Sequence, residues 1–164
     1  MKKSLSKYPR ILAISPFYDG FGFALIEGLN TLADWGIRHV NGDKNASCVA
    51  KIKELIVRYQ PYVIALEDTS HRSVRRSPRI RALTKKIILL AKKHDVRVMC
   101  FSREQVAKAF FPDGHATKYN VAQKVAEKFS DELGFRLPPK RRPWQSEDSR
   151  MNIFDAVALA LMVR

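Results

Sequence analysis

The sequence is short of acid, of cysteine and of long apolar runs, and each shortage removes a class of function. Only two cysteines occur, Cys48 and Cys100, and neither has a CxxC partner. That argues against a disulfide framework or a cysteine-based metal module, and both are expected as buried reduced thiols. No stretch of eighteen apolar residues exists, so no membrane-spanning helix is expected. The opening Met1-Lys2-Lys3-Ser4-Leu5-Ser6-Lys7 is basic, but no apolar signal region and cleavage site follow it, and the expectation is a cytoplasmic protein. No internal repeat or low-complexity tract breaks the 164 residues, a length that suits one domain, 1–164, with a sizeable core.

The shortage of acid is the strongest signal. Sixteen Asp and Glu face thirty Lys and Arg, for a net charge of +14. Such an excess points to a polyanionic partner, most often nucleic acid.

What is present reads as alternating elements. Ile11 to Ile14 is a short apolar run suited to a buried strand, Pro16 to Gly20 reads as a turn, and Phe21 to Ile26 resumes the apolar run. Gly22 permits close backbone approach. Trp35 to Val40 alternates as a third strand, and Asn45 to Tyr59 has helical spacing, with Val49, Ile52, Leu55 and Ile56 on one face. Tyr62 to Leu66 is a continuous apolar run, the pattern of a strand covered on both faces, and it ends at Glu67-Asp68. Ser77 and Pro78 suit the cap and first position of a helix reaching about His94. Val96 to Phe101 is a further strand. Ser102 and Gln105 have capping-box spacing for a helix through Phe110. Lys118 to Leu133 reads as one long amphipathic helix with Val121, Val125 and Phe129 inward and Gly134 just past its end. Leu137 to Ser149 is a proline-punctuated loop, and Met151 to Val163 an apolar helix. Three strands in hairpin order followed by strand–helix alternation predict an α/β fold: a mixed sheet, antiparallel then parallel, with helices on both faces.

Several residues fit poorly with a purely structural role. Glu67 stands at a strand end. Asp155 is the single carboxylate in an apolar helix, where it needs a partner or a metal to be tolerated. Two basic stretches suit phosphate contact: Arg72, Arg75, Arg76, Arg79 and Arg81 after the Glu67 strand, and Lys140, Arg141 and Arg142 before the Asp155 helix. Trp144 in the second stretch is either a stacking platform for an unpaired base or a loop anchor packed on the core. Tyr18 and Phe17, in the first turn, have the same two readings, with packing favoured. His71 and His115 are loop histidines near the same face, better suited to phosphate contact than to acid–base work.

Four segments, in order, resemble the RuvC-type Holliday junction resolvases of the RNase H-like superfamily. They are Ile11-Leu-Ala-Ile-Ser-Pro with Gly22 behind it, Val63-Ile-Ala-Leu-Glu67, Gly114-His-Ala-Thr-Lys118, and Ile153-Phe-Asp155-Ala-Val-Ala-Leu-Ala-Leu161. The resemblance covers nearly the whole chain and implies an RNase H-like fold. It also implies metal-assisted phosphodiester hydrolysis, with acidic side chains at strand ends holding Mg²⁺, or Mn²⁺ in its place. Glu67 and Asp155 match the family's acids. Lys118 matches its lysine before the third helix and would contact the scissile phosphate. The family's first-strand aspartate is Ser15 here, and the acid one turn before Asp155 is Asn152.

Two carboxylates are therefore missing from the usual four. Asp148, one turn before Asn152, is a substitute metal ligand if the last helix starts early; otherwise it is a first-turn acid of that helix. Asp68 and Asp19 are weaker substitutes, both better read as solvated turn residues. The expectation is a nucleic-acid-binding protein that recognises branched or structured DNA, its metal-nuclease site degenerate or rebuilt around Glu67 and Asp155. One alternative is a working Mg²⁺-dependent Holliday junction endodeoxyribonuclease with Asp148 as ligand. The other is a non-catalytic RNA- or protein-binding assembly factor. The family's habit of pairing cuts implies a homodimer, for which the exposed faces of the helices at Asn45 to Tyr59 and Ser77 to His94 are available.

Overall fold

The computed structural model describes residues 8–71 and 74–163. Five strands form one sheet: β1 (Arg10–Phe17), β2 (Gly20–Glu27), β3 (Thr31–His39), β4 (Val63–Glu67) and β5 (Arg97–Phe101). Their order is β3-β2-β1-β4-β5. β1, β2 and β3 pair antiparallel, whereas β4 runs parallel to β1 and β5 parallel to β4. This is the mixed sheet expected from the order of elements.

Side chains alternate across a strand, so β1 serves two cores. Leu12 and Ile14 join Ile64 and Leu66 of β4 beneath helices α1 (Lys44–Tyr59) and α2 (Pro78–Lys93). Ile11 and Ala13 face the other way, with Ala24, Val63 and Ala65, against α3 (Arg103–Phe110), α4 (Lys118–Lys128), α5 (Ser130–Leu133) and α6 (Met151–Leu161). α6 is apolar nearly all round, and nine of its eleven residues are buried, as expected of a helix laid across the middle of a sheet. Asp155 is its one acidic residue. The contact is close because Gly22 has no side chain: a Cβ there would lie 2.5 Å from the Asn152 carbonyl oxygen. Any other residue at 22 would push α6 off the sheet.

Local signals explain the helix starts. Asp43, Ser77, Ser102 and Thr117 each accept a backbone N–H in the first turn of α1, α2, α3 and α4. The Ser102–Gln105 capping box is formed. Among the described residues no helix is long and apolar enough to cross a membrane.

The structure departs from the sequence expectations in four places. β1 continues through Pro16 to Phe17, so the turn is shorter than Pro16 to Gly20. Pairing with β4 ends at Ala13↔Ala65, and Pro16 lies beyond it, where its missing N–H costs no parallel ladder bond. β3 starts at Thr31 rather than Trp35; a register shift at Leu25/Ile26 hides its alternation. The helix expected over Lys118 to Leu133 breaks at Phe129 (φ −115°, ψ 52°), which stays buried while α5 turns Leu133 inward. Cys48 is buried as expected, but Cys100 is exposed, because β5 is an edge strand with only partial cover.

Candidate functional site

The parallel ladder fixes the centre of the site. Glu67 pairs with Phe101 at the ends of β4 and β5. Ser15 lies two residues beyond the Ala13↔Ala65 pair, on the same sheet face as Glu67. α6 crosses this face, and α4 begins beside it. Ser15, Glu67, Arg76, Arg103, Lys118 and Asp155 all line one cavity of about 270 Å³.

Protein cations hold the carboxylates there. Arg76 donates to Glu67 Oε2 from Nε at 2.8 Å, with its Nη2 at 2.6 Å. Arg103 donates to Oε1 from Nε at 2.8 Å. Both Glu67 oxygens are thereby engaged, and its side chain is only 14% exposed. The Lys118 ammonium sits 2.8 Å from Asp155 Oδ2 and 2.7 Å from Glu147 Oε1. Asp155 Oδ2 is buried, and the Lys118 ammonium is its ionic partner. Burial pushes the Asp155 carboxyl above the usual aspartate range; Lys118 opposes that shift and the Glu147 charge adds to it.

The two positions where the family's acids are absent form a neutral pair. Ser15 Oγ donates to Asn152 Oδ1 at 3.0 Å, and Asn152 Nδ2 donates to the Ser149 carbonyl at 3.1 Å. Both residues are 4% exposed. A buried polar pair satisfied in this way is stable without charge.

Asp148 is not brought to Glu67 and Asp155. α6 starts at Met151, too late to carry Asp148 on its first turn. The Asp148 carboxylate instead accepts from Arg150 Nη2 at 2.7 Å, and that contact holds it below the usual aspartate range. Asp68 is tied to Ser70, whose hydroxyl and N–H lower its pKa, with His71 at 3.7 Å. Asp19 lies 3.8 Å from His39 in the first turn. His115 is exposed. The acid beside Asp155 is Glu147, and the third cation of the cavity is Arg103. The sequence reading names neither as a site residue. Arg103 was findable: it follows the β5 strand end, which the parallel register sets beside Glu67.

The first basic stretch divides by task. Arg79 donates to the Phe17 and Tyr18 carbonyls at 3.0 and 2.6 Å and to Asn45 Oδ1 at 3.0 Å. Arg81 holds the carbonyls of Thr69, His71 and Val74. Both arginines brace loops. Arg76 serves Glu67, and Arg75 is exposed on a hollow it shares with Arg103. Arg72 lies outside the described residues. In the second stretch Lys140, Arg141 and Arg142 are exposed and line a hollow with Lys118 and Arg103. Trp144 is 75% exposed, which overturns its reading as a core anchor, and the Arg142 guanidinium lies 5.6 Å from its ring. Tyr18 is 77% exposed beneath the Lys44 ammonium, so packing is not its role. Phe17 is half-buried, edge-on to His39.

Mg²⁺ and Mn²⁺ take oxygen ligands, and even a site completed by water and substrate phosphates needs one or two carboxylates left open to the ion. Here Glu67 is closed by two arginines, Asp155 faces an ammonium, and Ser15 and Asn152 are neutral and bonded to each other. Among the described residues no three or more His, Cys, Asp or Glu side chains are grouped to hold a metal. This donor set does not fit the Mg²⁺ or Mn²⁺ that the resemblance implies.

No protein-family model and no curated protein matches the chain. Solved structures do. RuvC from Thermus thermophilus aligns at TM-score 0.65 and 20% identity over 93% of this chain and 90% of its own. The same protein in complex with a Holliday junction substrate aligns at 0.67 and 19% over the same shares. The Holliday junction resolvase of fowlpox virus aligns at 0.52 and 17%, covering 93% of this chain and 95% of its own. The likeness is one of fold: the chain has the RNase H-like architecture that these resolvases share.

Proposed function

We propose that the chain binds branched DNA through the basic rim of this cavity and does not hydrolyse it. The observation that carries this reading is the capture of both Glu67 oxygens by Arg76 and Arg103. It is joined by the neutral Ser15–Asn152 pair at the positions of the missing acids. In a metal nuclease the ion bridges carboxylate and phosphate. Here guanidinium and ammonium groups that line the cavity meet the carboxylates. Guanidinium suits a phosphodiester in geometry as well as charge. Such contacts give affinity without base sequence, as recognition of junction shape requires. The binding of a Holliday junction by a structural neighbour of the same fold supports branched DNA as the partner.

The test is a labelled four-way junction incubated with Mg²⁺ or Mn²⁺, wild type beside Glu67→Gln. Tight binding in preference to linear duplex is expected, with no cleavage by either protein and the same affinity in chelator. Cleavage by the wild type alone would overturn the non-hydrolytic reading. Equal competition by structured RNA would move the partner class.

A further inference from the structure

We propose that the loop between α5 and α6 is a docking site for one unpaired nucleotide of DNA. Its base stacks on Trp144 and its phosphate is held by Lys140 and Arg141. The inference rests on the reading above and names what part of a branched substrate meets this loop.

The loop is built to present Trp144, not to bury it. Arg142-Pro143-Trp144-Gln145 is a β-turn closed by the Gln145 N–H on the Arg142 carbonyl at 2.9 Å. It is closed a second time by the Arg142 N–H on Gln145 Oε1 at 2.9 Å. Arg141 Nη1 adds a bond to the Gln145 carbonyl at 2.8 Å. Pro143 fixes φ at the second position of that turn. The base of the loop is tied to α4 by Tyr119 Oη, which donates to the Pro138 carbonyl at 2.9 Å. A tryptophan normally gains by burial, so a rigid turn that leaves it 75% exposed keeps a flat apolar surface free at low entropic cost. Arg142 beside the ring adds a cation to the same platform.

Behind the turn lies a hollow of about 890 Å³, within the roughly 300–1,000 Å³ range of small-molecule sites. Its acids are already neutralised: Glu147 by Lys118 and Asp148 by Arg150. The cations without a carboxylate partner there are Lys140, Arg141 and Arg142, and Arg141 gives only Nη1 to the Gln145 carbonyl. An aromatic face beside fixed positive charge is the arrangement that binds single-stranded nucleic acid, with stacking on the ring and phosphate on the cations. A fully paired duplex offers no free base face to Trp144. A nucleotide left unpaired at a branch does. The hollow shares Lys118 and Arg103 with the central cavity, so a strand leaving that cavity reaches the loop directly.

The test is a fluorescence titration of the whole chain with decathymidylate and, separately, with a blunt duplex of equal length at one salt concentration. The other tryptophan, Trp35, is half-buried, so quenching by a stacked base reports Trp144. Decathymidylate should quench the wild type. Trp144→Ala should bind it roughly 5- to 150-fold more weakly, the span expected for one base–aromatic stack, and Trp144→Phe should keep most of the affinity. Duplex affinity should be the same in all three proteins. Decathymidylate binding unchanged in Trp144→Ala, or duplex binding weakened equally, would overturn the docking site. A wild type that binds the four-way junction but not decathymidylate would overturn it while leaving the proposed function standing. Failure to bind any of these nucleic acids would remove both.

Discussion

Asp155 is a carboxylate that the fold has to neutralise from within. Its pKa is raised, chiefly by burial, so the protonated form is favoured in the folded state relative to the unfolded chain, where aspartate titrates near 3.9. Between those two values the folded protein holds the extra proton, and stability therefore falls as pH rises through the window. Asp155→Asn has no such proton to lose, and Lys118 would keep Glu147 as partner. The substituted protein should gain stability relative to wild type as pH rises above about 4, read from thermal melts between pH 4 and 7. Parallel stability curves would mean that the Lys118 ammonium offsets the burial of the carboxylate in full. At this scale the sequence exposed the oddity and hid its resolution. A lone acid in an apolar helix is visible by pattern. Lys118, its partner, lies on α4, and nothing local marks the two as an ion pair. The same holds for Glu67: its strand-end position was legible, but the two guanidinium groups that close it come from a loop and from the start of α3.

At the scale of elements, the β1–β2 hairpin depends on a residue that looks like a DNA contact. Arg79 reaches from the first turn of α2 to two carbonyls in the hairpin turn and to Asn45 on α1, joining three elements. Arg79→Ala leaves those acceptors without a charged donor. The cost should be about 2 kcal/mol, discounted for partial exposure, measured as a lower urea midpoint with unchanged slope. Arg75→Ala, on the exposed neighbour, should leave the midpoint where it is. Equal midpoints for both would make the Arg79 contacts incidental. Element types and order were readable because burial sets the periodicity: β4 is covered on both faces and reads as a continuous apolar run, whereas α1 and α2 are covered on one. The caps were readable because Ser77 and Ser102 act within one turn. Pro16 inside β1 and the break at Phe129 were not readable. The first depends on where β4 stops pairing, and the second on how α5 packs beneath the sheet; neither is a property of the local sequence.

At the scale of the molecule, the net charge of +14 is unevenly committed. Arg76, Arg79, Arg81, Arg103, Lys118 and Arg150 are engaged by carboxylates or carbonyls. Arg75 and Lys140 are exposed on two different hollows that flank the central cavity, and Arg103 lines both hollows and the cavity. On the proposed reading, a duplex arm on one side of the cavity and a second strand on the other would touch both residues, whereas a single duplex arm would touch one. Each phosphate contact steepens the dependence of log K on log salt by about 0.9 for duplex DNA. The double substitution Arg75→Ala with Lys140→Ala should therefore flatten the slope for a four-way junction by about 1.6, the duplex contact of Arg75 with the single-strand contact of Lys140 at about 0.7, measured by anisotropy between 50 and 200 mM salt. On a short linear duplex the same pair should flatten it by about half that, because one arm reaches only one hollow. An equal loss on junction and duplex would mean that a single straight helix spans both hollows, and that branch recognition has to come from elsewhere on the surface. A slope unchanged on both would remove this face from the binding site altogether.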